Sequence, residues 1–287
     1  MNTFLRVSVF CVISLSCRAQ ISIYVAPGLM NYGGDLQPYY WALVQSNLSI
    51  TTGAGVQLTK HFNLRTELTY GKLRAYDKQY SLYPKRNLSF YSHISEINFC
   101  LEYDIISSEH KFNPYLFSGA GFYHFNPYTV TQTGLKVYLQ PLGTEGQGLP
   151  EYPDNKPYDL TQANVVFGAG LKYRVSDQWS FALEFNSRYL FTDHLDDVSG
   201  FYPKEADLLN HGRTLAAELS FRSDELDPSL PFPDGKRRGN AHATDNYYTS
   251  MVRIIYTMPK SNFTIMSGGR GSHGRRKDRS LDCPKKF

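Results

Sequence analysis

The sequence predicts an all-β protein: an eight-stranded antiparallel transmembrane β-barrel with long extracellular loops and a basic periplasmic C-terminal tail. Strand-like segments with alternating apolar and polar residues recur eight times along the chain. Most of them are ten to fifteen residues long, whereas a soluble sheet uses strands of about five or six residues and a tilted membrane strand needs about nine to eleven. Short turns alternate with long loops between them, as in outer-membrane barrels.

Residues 1–19 are predicted to be an export signal. Arg6 supplies a positive charge, a short apolar run follows, and Cys17-Arg18-Ala19 resembles a small-residue cleavage site. Acylation of Cys17, as in a lipoprotein, is an alternative with poorer spacing. No other segment reaches eighteen consecutive apolar residues, which excludes a helical membrane protein. The predicted regions are a signal peptide at 1–19, an outer-membrane barrel at 20–258 and a flexible basic tail at 259–287.

Alternation within the predicted strands separates an apolar face from a polar face. In the segment 179–191, Phe181 and Leu183 share one face, and Glu184 and Arg188 share the other. A soluble β-sandwich buries its apolar faces, whereas a membrane barrel turns them to lipid, so alternation alone leaves both folds open. The predicted strands are residues 21–33, 48–59, 63–75, 88–104, 114–126, 164–175, 179–191 and 247–258.

The order of the connections favours the barrel. Short turns on one side and long loops on the other are typical of outer-membrane barrels. An even number of strands places the N-terminal and C-terminal ends of the barrel on the same, periplasmic side. Aromatic residues near the strand ends are expected to form girdles at the two membrane interfaces. The predicted turns are 60–62, 105–112 and 176–178, and the predicted loops are 35–47, 76–87, 127–163 and 192–246.

The polar faces of the strands predict a charged barrel interior. An eight-stranded barrel is just wide enough inside for side chains to fill. Charges of both signs in so narrow a space should pair, because an unpaired buried charge is costly. We therefore predict a structural network that plugs the barrel, with a proton or ion path as the alternative. The predicted members are Arg65, Glu67, Glu96, Glu102, Lys172, Arg174, Glu184, Arg188 and Arg253.

The sequence predicts no catalytic, cofactor-binding or metal-binding set. A lipid-modifying or acyl-transferring barrel needs a nucleophile, a base and an orienting acid at one height. Spacing alone does not arrange the candidates into such a triad, and His93 and His124 are expected to form hydrogen bonds near the outer rim. The candidates are Ser92, His93, Glu96, Ser118, His124 and His194.

Three loop segments have local interpretations. The acidic run 193–197 could ligate a divalent cation, but it lacks the spacing of an EF-hand, and turn capping by Asp is the preferred interpretation. Residues 142–148 are rich in glycine but lack Gly-Lys-Ser/Thr, so we expect a shaped external loop. Residues 214–222 are predicted to form a short helix with Leu215 and Leu219 on one face.

Residues 259–287 carry eight Lys or Arg and two Asp, including the cluster Arg275, Arg276 and Lys277. Such a tail could remain solvated, dock on a periplasmic partner, or contact acidic lipid or peptidoglycan. Nucleic-acid binding is excluded for an exported protein in spite of the basic run. Cys100 and Cys283 remain after removal of the signal, and a disulfide, free thiols and an intermolecular bridge are all open.

A family resemblance is carried by residues 31–36, 68–71, 87–90, 114–117, 122–127, 140–148, 192–200 and 238–240. In these stretches the chain resembles the PorG-type outer-membrane barrels of the type IX secretion system in Bacteroidetes. The resemblance implies a non-enzymatic component of the outer membrane without cofactors, which contacts outer-membrane lipid. It also implies association with a periplasmic ring built from a lipoprotein and its ring partner. The alternatives are a generic small barrel with ligand-binding extracellular loops and a lipid-modifying barrel enzyme.

Overall fold

The computed structural model describes residues 20–37, 45–80, 83–241 and 244–259. It confirms the predicted fold class, because eight long antiparallel strands close into one barrel. The predicted signal peptide, the cluster Arg275, Arg276 and Lys277, and Cys283 lie outside the described residues. The strands are β1 (Gln20–Gly33), β2 (Asn47–Gln57), β3 (Phe62–Tyr76), β4 (Ser89–Asp104), β5 (Phe112–His124), β6 (Tyr128–Val130), β7 (Lys136–Tyr138), β8 (Thr161–Arg174), β9 (Trp179–Leu190) and β10 (Asn246–Thr257).

The barrel closes through the pairing of β1 with β10, where Ile23 lies opposite Tyr256. Around the wall the order is β1, β2, β3, β4, β5, β8, β9 and β10, and every neighbouring pair is antiparallel. All eight predicted strands are present, with small shifts at their ends; β8, for example, begins at Thr161. Closure leaves no unpaired edge in the ring of eight described strands, which is the arrangement a membrane requires of strands.

The hairpin β6–β7 was not predicted and lies in a segment expected to be a loop. Tyr128 of β6 pairs with Tyr91 of β4 above the end of β5, and β7 pairs with β6. The hairpin therefore extends the wall at the long-loop end. At three residues each, its strands are too short to show a recognisable alternation in the sequence.

Apolar side chains cover the outer surface of the barrel, and the charged side chains of the described barrel strands point inward except those of Lys72 and Arg74. Leu68 is 56% exposed and Leu183 is 64% exposed, whereas their neighbours Glu67 and Glu184 are buried. This is the reverse of a soluble sandwich and confirms the predicted faces. Among the described residues, no helix is long and apolar enough to cross a membrane.

Aromatic rings surround the short-turn end of the barrel, as predicted for an interfacial girdle. They form neighbouring pairs on the outer surface, with ring centres 4.8 to 5.1 Å apart. The pairs are Phe62 with Tyr103, Phe112 with Tyr173, and Trp179 with Tyr256.

The long loops pack into a cap that closes the other end. Their core continues from the inward faces of the strands, where Phe90 and Tyr123 are fully buried, into loop residues such as Leu195 and Val198. The cap contains the helices α1 (Asp77–Tyr80), α2 (Glu205–Asn210) and α3 (Thr214–Ser220), and 3-10 turns at Pro84–Arg86 and Gln140–Leu142.

The predicted helix at 214–222 is present as α3, but its predicted face is wrong. Leu219 is buried, whereas Leu215 is 36% exposed. The helix instead turns Ala216, Ala217 and Ser220 inward with Leu219. Ala216 and Ala217 thus take the place of Leu215 at the contact, because their small side chains let α3 pack closely on the cap.

A charge on the outward face should destabilise the barrel in a bilayer. Leu183→Arg places a guanidinium on the apolar band, and we expect a loss of about 2–4 kcal/mol in the free energy of unfolding. Leu226→Arg, at a 50% exposed loop position, should change it by less than about 0.5 kcal/mol. Urea unfolding in lipid vesicles measures both. Equal, small losses would show that the outward face lies in water.

Candidate functional site

Arg65 is the centre of an ion network inside the barrel. Its Nη1 donates to Glu102 Oε2 at 2.8 Å and to Glu184 Oε2 at 2.9 Å. Its Nε lies 3.1 Å from Glu67 Oε1. The guanidinium carbon also lies 3.8 Å from the ring centre of Phe117. Because Arg65 is almost fully buried, these carboxylates replace the water that its charge would otherwise need.

Two ion pairs of the network join opposite walls of the barrel. Arg65 of β3 and Glu184 of β9 lie on opposite sides of the eight-strand ring. Arg253 of β10 and Glu102 of β4, 3.0 Å apart, also lie on opposite sides. A contact of this length between opposite walls leaves no open path along the axis at that height. The network therefore fills the cross-section of the barrel.

A second layer lies nearer the cap. Glu96 Oε2 accepts a hydrogen bond from Arg188 Nη2 at 2.9 Å, and Glu96 Oε1 accepts one from Tyr247 Oη at 2.9 Å. Asn186 connects the layers, since its Nδ2 donates to Glu184 Oε1 at 3.0 Å and its Oδ1 accepts from Arg188. The two layers form one continuous network.

The structure brings together eight of the nine predicted lumen residues. Lys172 contacts Glu102 at 2.8 Å and Asp104 at 3.1 Å. Arg174 is the exception: it ends β8 at the short-turn mouth and forms no ion pair within the described part of the chain. Water reaches that mouth, so Arg174 needs no buried partner. Arg174 therefore lines the mouth of the lumen and lies outside the paired network.

Several network members escaped prediction although their position in the alternation would have identified them. Asp104 has the same parity on β4 as Glu96 and Glu102. Tyrosines on the inward faces were missed because Tyr is also expected at the membrane interface. The missed members are Tyr24, Asp104, Tyr115 and Tyr247. Tyr24 donates to Glu67, Tyr115 donates to Glu184, Tyr247 donates to Glu96, and Asp104 accepts from Asn63.

The short-turn end opens into a polar vestibule of about 1060 Å³, lined by residues such as Lys60, Asn113, Lys172 and Arg174. The Arg65 network forms its inner limit. The buried amide of Asn113 has no hydrogen-bond partner among the described residues. Solvent thus enters the barrel from this end and meets the network.

The candidate catalytic residues are not brought together. Ser118, His93 and His124 are on the outer surface, whereas Ser92 is inside and His194 is in the cap. His93 Nδ1 lies 3.2 Å from Tyr70 Oη and His124 Nδ1 lies 2.9 Å from Thr161 Oγ1, at the outer rim as expected. Cys100 is buried inside the barrel, with its Sγ 3.9 Å from Glu67 Oε2.

The acidic run 193–197 is held in a turn, as the preferred interpretation stated. Asp196 Oδ1 accepts from the backbone N–H of Val198 at 2.9 Å. Asp197 has a φ of 65° and accepts hydrogen bonds from Thr144 and Tyr158. No group of three or more His, Cys, Asp or Glu side chains within the described ranges could hold a metal ion.

The glycine-rich loop is a shaped loop, with Gly143, Gly146 and Gly148 all at positive φ. This backbone places Glu145 where its carboxylate accepts from the backbone N–H groups of residues 199 and 200. Arg238 pairs with the same carboxylate at 3.0 Å. The loop is therefore fixed to two other segments of the cap.

Four of the eight stretches that carried the family resemblance meet in the cap. Tyr32 Oη lies 2.6 Å from Asp196 Oδ2 and 2.8 Å from Asp245 Oδ1. Asn240 donates its backbone N–H to Asp35 Oδ2 at 2.7 Å. Residues 31–36, 140–148, 192–200 and 238–240 thus form one buried polar cluster.

Burial controls ionisation in this cluster. Desolvation raises the pKa of Asp193 to about 7 and that of Asp197 to about 6, the latter in spite of nearby Arg238. The pKa values of Asp196 and Asp245 are also raised, first by burial. Tyr32 has a single hydroxyl proton and donates to only one of these two carboxyls.

No protein-family model matches the chain, and no curated protein matches it. Three solved structures illustrate its likeness to known barrels. Neisserial surface protein A is 11% identical, with 84% of this chain and 97% of that chain covered and a TM-score of 0.38. Ail, the attachment invasion locus protein of Yersinia pestis, is 9% identical, with 84% of this chain and 97% of that chain covered and a TM-score of 0.37. OprG from Pseudomonas aeruginosa is 8% identical, with 84% of this chain and 95% of that chain covered and a TM-score of 0.40.

Removal of the central cation should destabilise the barrel. Arg65→Ala leaves buried carboxylates without their main partner, and we expect a loss of about 3–5 kcal/mol in the free energy of unfolding. Arg174→Ala removes the same charge outside the network and should change it by less than about 0.5 kcal/mol. Urea unfolding in vesicles compares them. Equal losses would contradict the assignment of Arg65 to the centre.

Stability of the cap should fall as pH rises. The folded-state pKa values of Asp193 and Asp197 lie above the unfolded value of about 4. Their protons therefore stabilise the fold fully below about pH 4, and this stabilisation is lost as pH rises through about 6 to 7. Limited proteolysis of the long loops should become several-fold faster between pH 5 and pH 8.

Asp193→Asn should weaken this pH dependence, because an amide does not ionise. Asp154→Asn, at an exposed loop position, is the matched control and should leave the profile unchanged. A profile that is flat in the unaltered protein would refute the assignment.

Proposed function

We propose that this protein is a non-enzymatic outer-membrane barrel that anchors or organises the periplasmic ring of a type IX secretion system. The observation that carries the proposal is the closed interior, in which Arg65–Glu184 and Arg253–Glu102 join opposite walls. A barrel filled in this way does not conduct solutes. The described residues also assemble no catalytic set. An anchoring role, which the resemblance to PorG-type barrels implies, fits both properties.

The outer surface supports a location in the outer membrane. An apolar band covers the barrel, and aromatic pairs surround its short-turn end. A closed barrel is the form in which strands cross a bilayer, because every backbone group finds a partner inside the barrel. The predicted export signal at 1–19 agrees with this location.

The short-turn end is the proposed periplasmic face. β1 begins and β10 ends there, and Pro259 lines the vestibule, so the basic tail starts at this face. A positive tail and an open polar vestibule offer contacts for a periplasmic lipoprotein and its ring partner. We assign the tail contact to Arg275, Arg276 and Lys277.

Recognition of a ligand by the long loops is the second candidate. The folded cap favours it, since an ordered outer surface built around Glu145 and Arg238 can present fixed side chains. In that case deletion of the gene would leave secretion intact. A lipid-modifying activity would instead alter lipid A on deletion.

The tail can be tested by charge reversal. Arg275→Glu, Arg276→Glu and Lys277→Glu together should lower recovery of the ring lipoprotein several-fold in crosslinking pull-downs from intact outer membranes, because attraction becomes repulsion. The matched control is Lys85→Glu, Lys156→Glu and Lys204→Glu, which makes the same charge change at exposed loop positions. Unchanged recovery with the tail variant would remove the tail from the contact. Absence of the ring proteins from every pull-down would remove the anchoring role.

A further inference from the structure

Within the eight described barrel strands, formal charge on the outer wall is confined to one place. Lys72 and Arg74 of β3 are the only Lys, Arg, Asp or Glu residues at outward-facing positions of the eight described barrel strands. Lys136 of β7 lies beside them on the hairpin that extends β4. A charge on a surface that is otherwise apolar is costly unless its surroundings satisfy it.

Aromatic rings hold the two lysines together. The Nζ of Lys72 lies 4.6 Å from the ring centre of Tyr91 and 5.9 Å from that of Tyr128. The Nζ of Lys136 lies 3.9 Å from the ring centre of Tyr128 and 4.7 Å from that of Tyr138. Tyr128 thus lies between two ammonium groups. We call the two lysines with Tyr91, Tyr128 and Tyr138 the basic–aromatic patch.

The patch is positioned before any ligand arrives. Tyr91 and Tyr128 stack with ring centres 5.3 Å apart, and Tyr91 accepts a hydrogen bond from Tyr76 Oη at 2.7 Å. The ring of His93 also stacks with that of Tyr128, with ring centres 6.2 Å apart. Fixed rings reduce the side-chain entropy that binding would cost.

Positive charge in the patch is not neutralised by the protein. Within the described residues, no carboxylate forms an ion pair with Lys72 or Lys136. A ring face attracts an ammonium group but leaves its net charge and its remaining hydrogen-bond donors available. The charge complement of the patch is therefore an anion from outside the chain.

The height of the patch identifies where that anion lies. The outward face of β3 is uncharged from Phe62 to Tyr70 and becomes basic at Lys72. At a rise of about 3.4 Å per residue and a tilt of about 40°, Lys72 lies about 26 Å from Phe62 along the barrel axis. The apolar band of an outer-membrane barrel is about 25 Å tall. Lys72 therefore lies at the level of the outer-leaflet head groups.

We propose that the basic–aromatic patch binds the phosphate groups of lipid A, the phosphorylated glycolipid of the outer leaflet. Its acyl chains lie against the apolar face directly below, which includes Leu68 and Phe99. The two ammonium groups, with Arg74 beside them, meet the doubly charged phosphate as point charges. The site rests on the proposed membrane location and orientation, and is independent of any role in secretion.

The test compares two lipids and three proteins. The full-length protein is placed in nanodiscs that contain either bisphosphorylated lipid A or its phosphate-free form, and lipid retained through purification is counted by native mass spectrometry. Each surface lysine contributes about fivefold to anion attraction. For two lysines we therefore expect roughly 25-fold stronger retention of the phosphorylated lipid.

Lys72→Gln with Lys136→Gln should abolish that preference. Lys85→Gln with Lys156→Gln removes two exposed loop charges and should leave the preference unchanged. Lys72→Arg with Lys136→Arg keeps the positive charges and should keep the preference for the phosphorylated lipid. Equal retention of the two lipids by the unaltered protein, or an unchanged preference in the Gln variant, would overturn the proposal. The lipid comparison needs no variant to fold and no partner protein. A failed ring pull-down therefore leaves this result standing, and the reverse also holds.

Discussion

Neutralisation of charge across a narrow interior is the constraint on which this barrel depends. At the level of Arg65 the interior of an eight-stranded barrel is filled by side chains, so each buried charge there requires a partner. Arg65 and Arg253 meet this requirement by contacting carboxylates on the opposite wall. The same contacts that stabilise the charges also fix the distance between strands that are far apart in the chain. Stability and closure of the lumen thus have one cause.

Because the interior is filled, the surfaces that remain available for binding are the two ends and the outer wall of the barrel. At the long-loop end, apolar residues such as Phe90 and Leu195 continue the filling into the cap, where Arg238 and Glu145 fix the loops to one another. At the short-turn end, the vestibule stays open to water as far as Arg65. The ends therefore differ physically: one offers a folded outer surface, and the other offers a solvated, charged cavity.

The sequence predicted the barrel because strand alternation and loop order are local properties. It also predicted which charges point inward, since parity along a strand determines the face. It did not predict which charges meet, because Arg65 and Glu184 pair through the curvature of the whole ring. The contacts within the cap could not be predicted for the same reason. Tyr32, for example, contacts Asp196 and Asp245, which lie far from it in the chain. The hairpin β6–β7 was missed because it depends on β4 for its pairing.

That hairpin explains how a long loop can affect the membrane-facing wall. By pairing with β4 it places Lys136, with the buried ring of Tyr128 beneath it, just where the uncharged face of β3 ends at Lys72. Without the hairpin, Lys72 would have Tyr91 but not the second lysine across the ring of Tyr128. The boundary between the apolar band and the charged rim is thus built by two segments together. A loop insertion that only lengthened the connection would not produce it.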